Sequence, residues 1–226
     1  MPKHKSGKQY YFNFTPMQTT KPTLYTCLSP ALLHLYDLKN AVVVIIDVFR
    51  ATSTIASVIN NGAKCIIPVD EVFKAIEVSK KIGAIAAGER DGQIAEGLQH
   101  GNSPLEYSKE FIEGKTLVLT TTNGTKLLQM ALDNNADTII SGSFPNLSSV
   151  CKYLIAQNKN VVLGCAGWKD RFNIEDTLFA GAVISKVKEH FTIHCDSSLT
   201  CANLNNASST GGAFSVQVSG DRKSVV

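Results

Sequence analysis

Val42 to Ser53 reads VVVIIDVFRATS, and the fold turns on how this stretch is taken. The β-branched aliphatic run Val42 to Ile46 has apolar side chains for both faces of a strand, the pattern of a buried parallel strand. It stops at Asp47, and Arg50, Thr52 and Ser53 follow at once. An acid, a guanidinium and hydroxyls in the turn leaving such a strand make an anion site at the carboxyl edge of an α/β sheet.

Outward from there, the apolar spacing of Ile55, Val58 and Ile59 predicts a helix over Thr52 to Asn61, ended by Asn61-Gly62. Cys65 to Val69 reads as a strand and Val72 to Ile82 as an amphipathic helix. This alternation calls for a three-layer α/β/α fold on a largely parallel or mixed sheet. An ungapped self-alignment at an offset of 73 residues lays VVIIDVFRATSTIASVINNGAKCIIPV on TLVLTTTNGTKLLQMALDNNADTIISG. We read it as a pseudo-repeated β-α-β-α unit, which makes Asp47 to Ser53 and Thr120 to Thr125 equivalent turns on one edge of one sheet.

Upstream, Leu24 to Leu28 reads as a short strand, and Ser29 caps a helix begun by Pro30. Downstream, Val161 to Gly167 is an apolar strand breaking at glycine, which gives a third such turn, followed by a helix over Thr177 to Val187 with Glu175 and Asp176 in its approach. Between the repeats, Gly88 to Pro104 (GERDGQIAEGLQHGNSP) reads as a long functional loop. Residues 1–22 read as an extension, 23–202 as the α/β domain, and 203–226 as a polar tail without periodicity.

With 226 residues, 44% hydrophobic and 18% charged, the chain can bury a full core. The net charge of +3 is spread out, which argues against a nucleic-acid-binding stripe and suits a small anionic substrate. Six cysteines without a CxxC pair read as reduced thiols of a cytoplasmic protein. No stretch is long and apolar enough for a membrane span, and no leader pattern is read at the N-terminus. A homo-oligomer is compatible with all of this.

The turn TTTNGT (Thr120 to Thr125) gathers hydroxyls, an amide and a glycine before a helix, which suits a phosphate or equally a plain turn and cap. Asp47, Glu89, Glu175 and Asp176 are the acids nearest strand ends or glycine turns. Magnesium takes one or two carboxylates plus water and substrate oxygens, so two of the four would suffice; helix capping is the plain alternative for Glu175 and Asp176. For phosphate ester hydrolysis, an Asp nucleophile with a second Asp two residues on is blocked by Phe49. Cys165 and Arg171 have the Cys-x5-Arg spacing of a cysteine phosphatase loop but lack the preceding His, so a metal-activated water is the first choice.

DVFRATST, GER with GNSP, TTNGT, and CAG followed by EDTLFAGA, in this order, resemble the 2-phosphosulfolactate phosphatase family of coenzyme M biosynthesis, from about Thr23 to Asp196. The resemblance implies magnesium-dependent hydrolysis of 2-phosphosulfolactate to sulfolactate and phosphate on a three-layer α/β fold. On this basis Asp47, Arg50 and Glu89 are expected to be catalytic, and Asp47, Glu175 and Asp176 to bind Mg2+. Thr52, Ser53, Asn102, Ser103, Thr121, Thr122, Asn123, Gly124 and Thr125 are expected to hold the substrate. The family's closing helix and strand are not found after Asp196. A non-catalytic phospho-ligand sensor is the rival function, while a dinucleotide oxidoreductase is set aside because no strand runs into GxGxxG.

Overall fold

The computed structural model describes residues 21–210. Among the described residues, eight strands form two four-stranded sheets. The first consists of β1 (Leu24–Cys27), β2 (Ala41–Ile46), β7 (Thr138–Gly142) and β8 (Asn160–Cys165), in the order β1-β8-β2-β7 and parallel throughout. The second consists of β3 (Cys65–Pro68), β4 (Ile85–Arg90), β5 (Gln93–Ile94) and β6 (Thr116–Thr120), in the order β3-β6-β4-β5, with only β5 antiparallel. The α-helices of the same residues are α1 (Ala51–Asn60), α2 (Val72–Ile82), α3 (Lys109–Ile112), α4 (Gly124–Asp133), α5 (Leu147–Gln157), α6 (Ile174–Val187) and α7 (Asp196–Thr210).

β2 is buried along its whole length, and its period-2 geometry divides its side chains between two cores. Val42, Val44 and Ile46 pack with Leu154 of α5, Phe179 and Val183 of α6 and Cys201 of α7. Val43 and Ile45 turn the other way, against Leu33, Leu38 and Leu127 of α4. The first sheet is thus the middle layer of a three-layer α/β/α arrangement. In the second sheet Leu117 and Leu119 of β6 pack with Val58 of α1, Tyr107 and Ile112.

The expectation of a single sheet is corrected. Each pseudo-repeat starts in one sheet and ends in the other, as β2-α1-β3 and as β6-α4-β7. At the offset of 73, α1 and α4 have coincident bounds. The two turns therefore belong to different sheets and meet because the carboxyl ends of β2 and β6 face a common centre.

Two further expectations change. Within Gly88 to Pro104, Glu89 and Arg90 belong to β4, and Asp91-Gly92, both at positive φ (52° and 80°), turn the chain directly into β5. The chain after Asp196 is helical as far as Thr210, not irregular. Cys201 buries against the first core and the Ser198 hydroxyl lies 2.9 Å from that of Thr26. Most of the proposed N-terminal extension and residues 211–226 lie outside the described residues.

Candidate active site

The site forms where β2, β4, β6 and β8 end. Asp47 follows β2 and is 9% exposed. Its main-chain N–H donates to Thr52 Oγ1 (3.1 Å), and its carbonyl accepts from Thr52 N (2.9 Å), closing the strand-to-helix turn. Its carboxylate accepts N–H groups from Ala51 and Gly124, the first residues of α1 and α4. Two helix N-termini, one from each repeat, thus converge on one carboxylate. A Cβ on Gly124 would stand 3.0 Å from Asp47 Oδ2 and 3.1 Å from Thr121 Oγ1, so a larger residue there would have to push these groups back by a few tenths of an ångström.

Glu89, in β4, is held the same way. Its Oε1 accepts from Thr122 N (2.7 Å) and its Oε2 from Gly92 N (2.8 Å). Thr125 N donates to Thr121 Oγ1 (3.2 Å), and Thr125 Oγ1 to Thr121 O (2.5 Å). The TTNGT turn, expected to offer its amides to a phosphate, spends those of Thr122 and Gly124 on Glu89 and Asp47. What it leaves over is the buried Thr122 hydroxyl, which has no partner among the described residues.

Asp176 is fully buried in the first turn of α6. Its Oδ1 accepts from Val48 N (2.8 Å) and its Oδ2 from Gly167 N (3.0 Å), which fastens the turns after β2 and β8 to one helix. Gly167 is at φ +60, where a Cβ would lie 2.2 Å from Arg171 O. Asn173, missed in the sequence, caps α6 by accepting from Asp176 N (3.2 Å). An Asn three residues ahead of an acid that opens an apolar helix was the available signal. Glu175, 4% exposed, is the fourth acid.

These carboxyls act on one another. Burial raises the Asp47 pKa to about 7, and the charges of Glu89 and Glu175 add to the rise against the pull of the two helix amides. Burial, then Asp47 and Glu175, push Asp176 well above the carboxylate range. Among the described residues none of Asp47, Glu89 and Asp176 forms an ion pair with lysine or arginine. No three protein donors among those residues converge into a metal cage of their own.

The other expected residues are more peripheral. Arg50 is half-buried and donates through Nη2 to Gly92 O (3.3 Å). The Ser53 hydroxyl is spent on Val48 O (2.8 Å). Ser103 stands at the start of a short 3-10 turn, its N–H donating to Glu106 Oε1 (3.3 Å). Asn102 is 4% exposed; its carbonyl accepts from Thr54 Oγ1 (2.5 Å), while its Oδ1 has no partner among the described residues. Asn123 is half-buried ahead of α4. Cys165 lies wholly within the first core, where burial raises its thiol pKa far above the ordinary value, and Arg171 is exposed. That removes the cysteine-loop alternative, since a thiolate nucleophile must be accessible and ionised.

The fold and the site define a three-layer α/β protein with buried acids, one of them, Asp47, between two helix N-termini, at the carboxyl ends of parallel strands. Residues 27–220 match the family described as 2-phosphosulpholactate phosphatase, and the chain belongs to that family. It is 48% identical over 147 residues to a probable 2-phosphosulfolactate phosphatase of Thermotoga maritima, covering 65% of this chain and 63% of the relative. Proteins of the same description from Caldanaerobacter subterraneus subsp. tengcongensis and Clostridium acetobutylicum are 46% and 39% identical over 155 and 153 residues. Each of these two matches covers 67% of this chain and 64% of the relative, so the chain spans less than two thirds of these relatives' length. Among the described residues no helix is long and apolar enough to cross a membrane.

Proposed function

We propose that the chain is a magnesium-dependent phosphatase acting on 2-phosphosulfolactate or a closely similar phosphorylated hydroxy acid. The observation that carries this reading is the Asp47 carboxylate, buried beside Glu89 and Glu175 and gripped by the amides of Ala51 and Gly124. Carboxylates crowded together away from water are costly to ionise, and a divalent cation offsets that cost. Carboxylate oxygens are the hard donors magnesium takes, and one or two of them suffice beside water and phosphoryl oxygens. Asp47 and Glu175 are the ligands we assign. Asp176, whose Oδ1 and Oδ2 accept from Val48 N and Gly167 N, fixes the turns around them.

Bound magnesium supplies charge neutralisation on the phosphoryl group and a more acidic water. The chain's residues do the rest. The Thr122 hydroxyl, unpartnered among the described residues, can donate to the substrate, whereas the unpartnered atom of Asn102 is Oδ1, an acceptor that offers an anion nothing. Glu89, held by the amides of Thr122 and Gly92, is the base we assign for the proton of the attacking water, and Arg50 offers positive charge nearby. Phosphate release from 2-phosphosulfolactate, assayed with magnesium and with EDTA, tests the reading. The expected result is turnover lost with chelation and restored by magnesium. A phospho-ligand sensor would bind the ester without releasing phosphate.

A further inference from the structure

Beside the Thr121 to Thr125 turn lies a cavity of about 340 Å³ that the acid cluster does not use, flanked by Arg90 and Lys126. Among the described residues Arg90 donates only to uncharged oxygens: Nη1 to Glu89 O (2.7 Å), and Nη2 to Asp70 O and Thr120 Oγ1 (both 2.9 Å). Lys126 Nζ lies 2.7 Å from both oxygens of Asp170, but that pair is about half exposed on both sides, where a ligand can compete with it. The carboxylate at the cavity, Asp70, is already held by Lys74, whose Nζ lies 2.9 Å from both of its oxygens. Thr122, whose buried Oγ1 has no partner among the described residues, is one of the residues lining the cavity. Its backbone is fixed, because its N–H is bound to Glu89.

We infer that this cavity binds a second acid group of the substrate, a sulfonate or carboxylate other than the phosphate, between Arg90 and Lys126. Lys126 exchanges its bond to Asp170 for one to the ligand. The assignment rests on the phosphatase reading for the position of the phosphate, and it separates the basic residues near the site. Arg50 is turned to the Gly92 carbonyl and Arg171 is exposed, while Arg90 and Lys126 line one cavity. A phosphate monoester without a second acid lacks this contact, so the subsite selects for doubly acidic substrates.

The test is calorimetric binding of sulfolactate and, separately, inorganic phosphate, each with magnesium, to the wild-type chain and to Lys126→Ala, Lys126→Arg and Asp170→Asn. Lys126 is half exposed, so its variants test binding without disturbing the core. For Lys126→Ala the sulfolactate Kd should rise by about tenfold or more, and the phosphate Kd by less than about threefold. Lys126→Arg should recover most of the loss, and Asp170→Asn should tighten sulfolactate. Equal weakening of both ligands by Lys126→Ala, or of neither, overturns the inference. Should the wild-type chain release no phosphate yet bind sulfolactate in this Lys126-dependent way, the phosphatase reading falls and the subsite stands. Turnover without Lys126-dependent binding does the opposite: the subsite falls and the phosphatase stands.

Discussion

At the scale of single residues, Asp47 brings together two opposed demands. Helix amides from Ala51 and Gly124 favour its charge, while burial and the neighbouring Glu89 and Glu175 oppose it and leave its pKa at about 7. The folded chain therefore holds a proton there that the unfolded chain, with an ordinary carboxyl near 3.9, has lost. This contribution to stability is complete below about pH 4 and disappears as pH rises through 7, at no more than about 1.4 kcal/mol per pH unit. Urea unfolding at a series of pH values should show Asp47→Asn flattening that decline, and magnesium should flatten it in the wild-type chain by favouring the ionised form. Gly124→Ala tests the grip itself. Its added Cβ, 3.0 Å from Asp47 Oδ2, should lower kcat at least about tenfold, with a smaller change in unfolding free energy. Asp47, Glu89, Glu175 and Asp176 were read in the sequence as the acids nearest strand ends or glycine turns. Their partners were not, because a turn rich in threonine and glycine reads alike whether its amides serve a ligand or a carboxylate.

Among the elements, α6 fastens the site. Asp176 in its first turn holds Val48 N and Gly167 N, so one carboxyl joins the loops after β2 and β8. Asp176→Ala leaves both buried donors unsatisfied and should cost about 2 kcal/mol or more, measured by chemical denaturation. The elements of the pseudo-repeat were legible almost to the residue, as the shared bounds of α1 and α4 show, because their apolar periods are regular and Asn-Gly or Asn-Asn closes each helix. The β4–β5 hairpin was hidden inside a polar segment although Asp91-Gly92 marks it. Helix α7 was hidden for another reason: it packs through Ser198 and Cys201, small side chains that leave no apolar stripe to read.

For the whole molecule, the main departure from the sequence reading is that two sheets, not one, bring their strand ends to a common centre. Periodicity reports which residues are strands and which faces are buried; it carries no information on which strands pair, and so β2 and β6 could not be told apart by sheet. The consequence is an acid cluster drawn from both sheets, with Cys165 deep in a core behind it. Cys165→Ala should accordingly retain phosphate release within about threefold of the wild type, since it removes one core sulfur and no site contact. The most direct measurement of the central assignment is phosphate release from 2-phosphosulfolactate by the wild-type chain and by Asp47→Asn, each with magnesium and with EDTA. Release is expected from the wild-type chain with magnesium alone, and none from a folded Asp47→Asn under either condition. Turnover by Asp47→Asn, or turnover that survives chelation, would contradict that assignment.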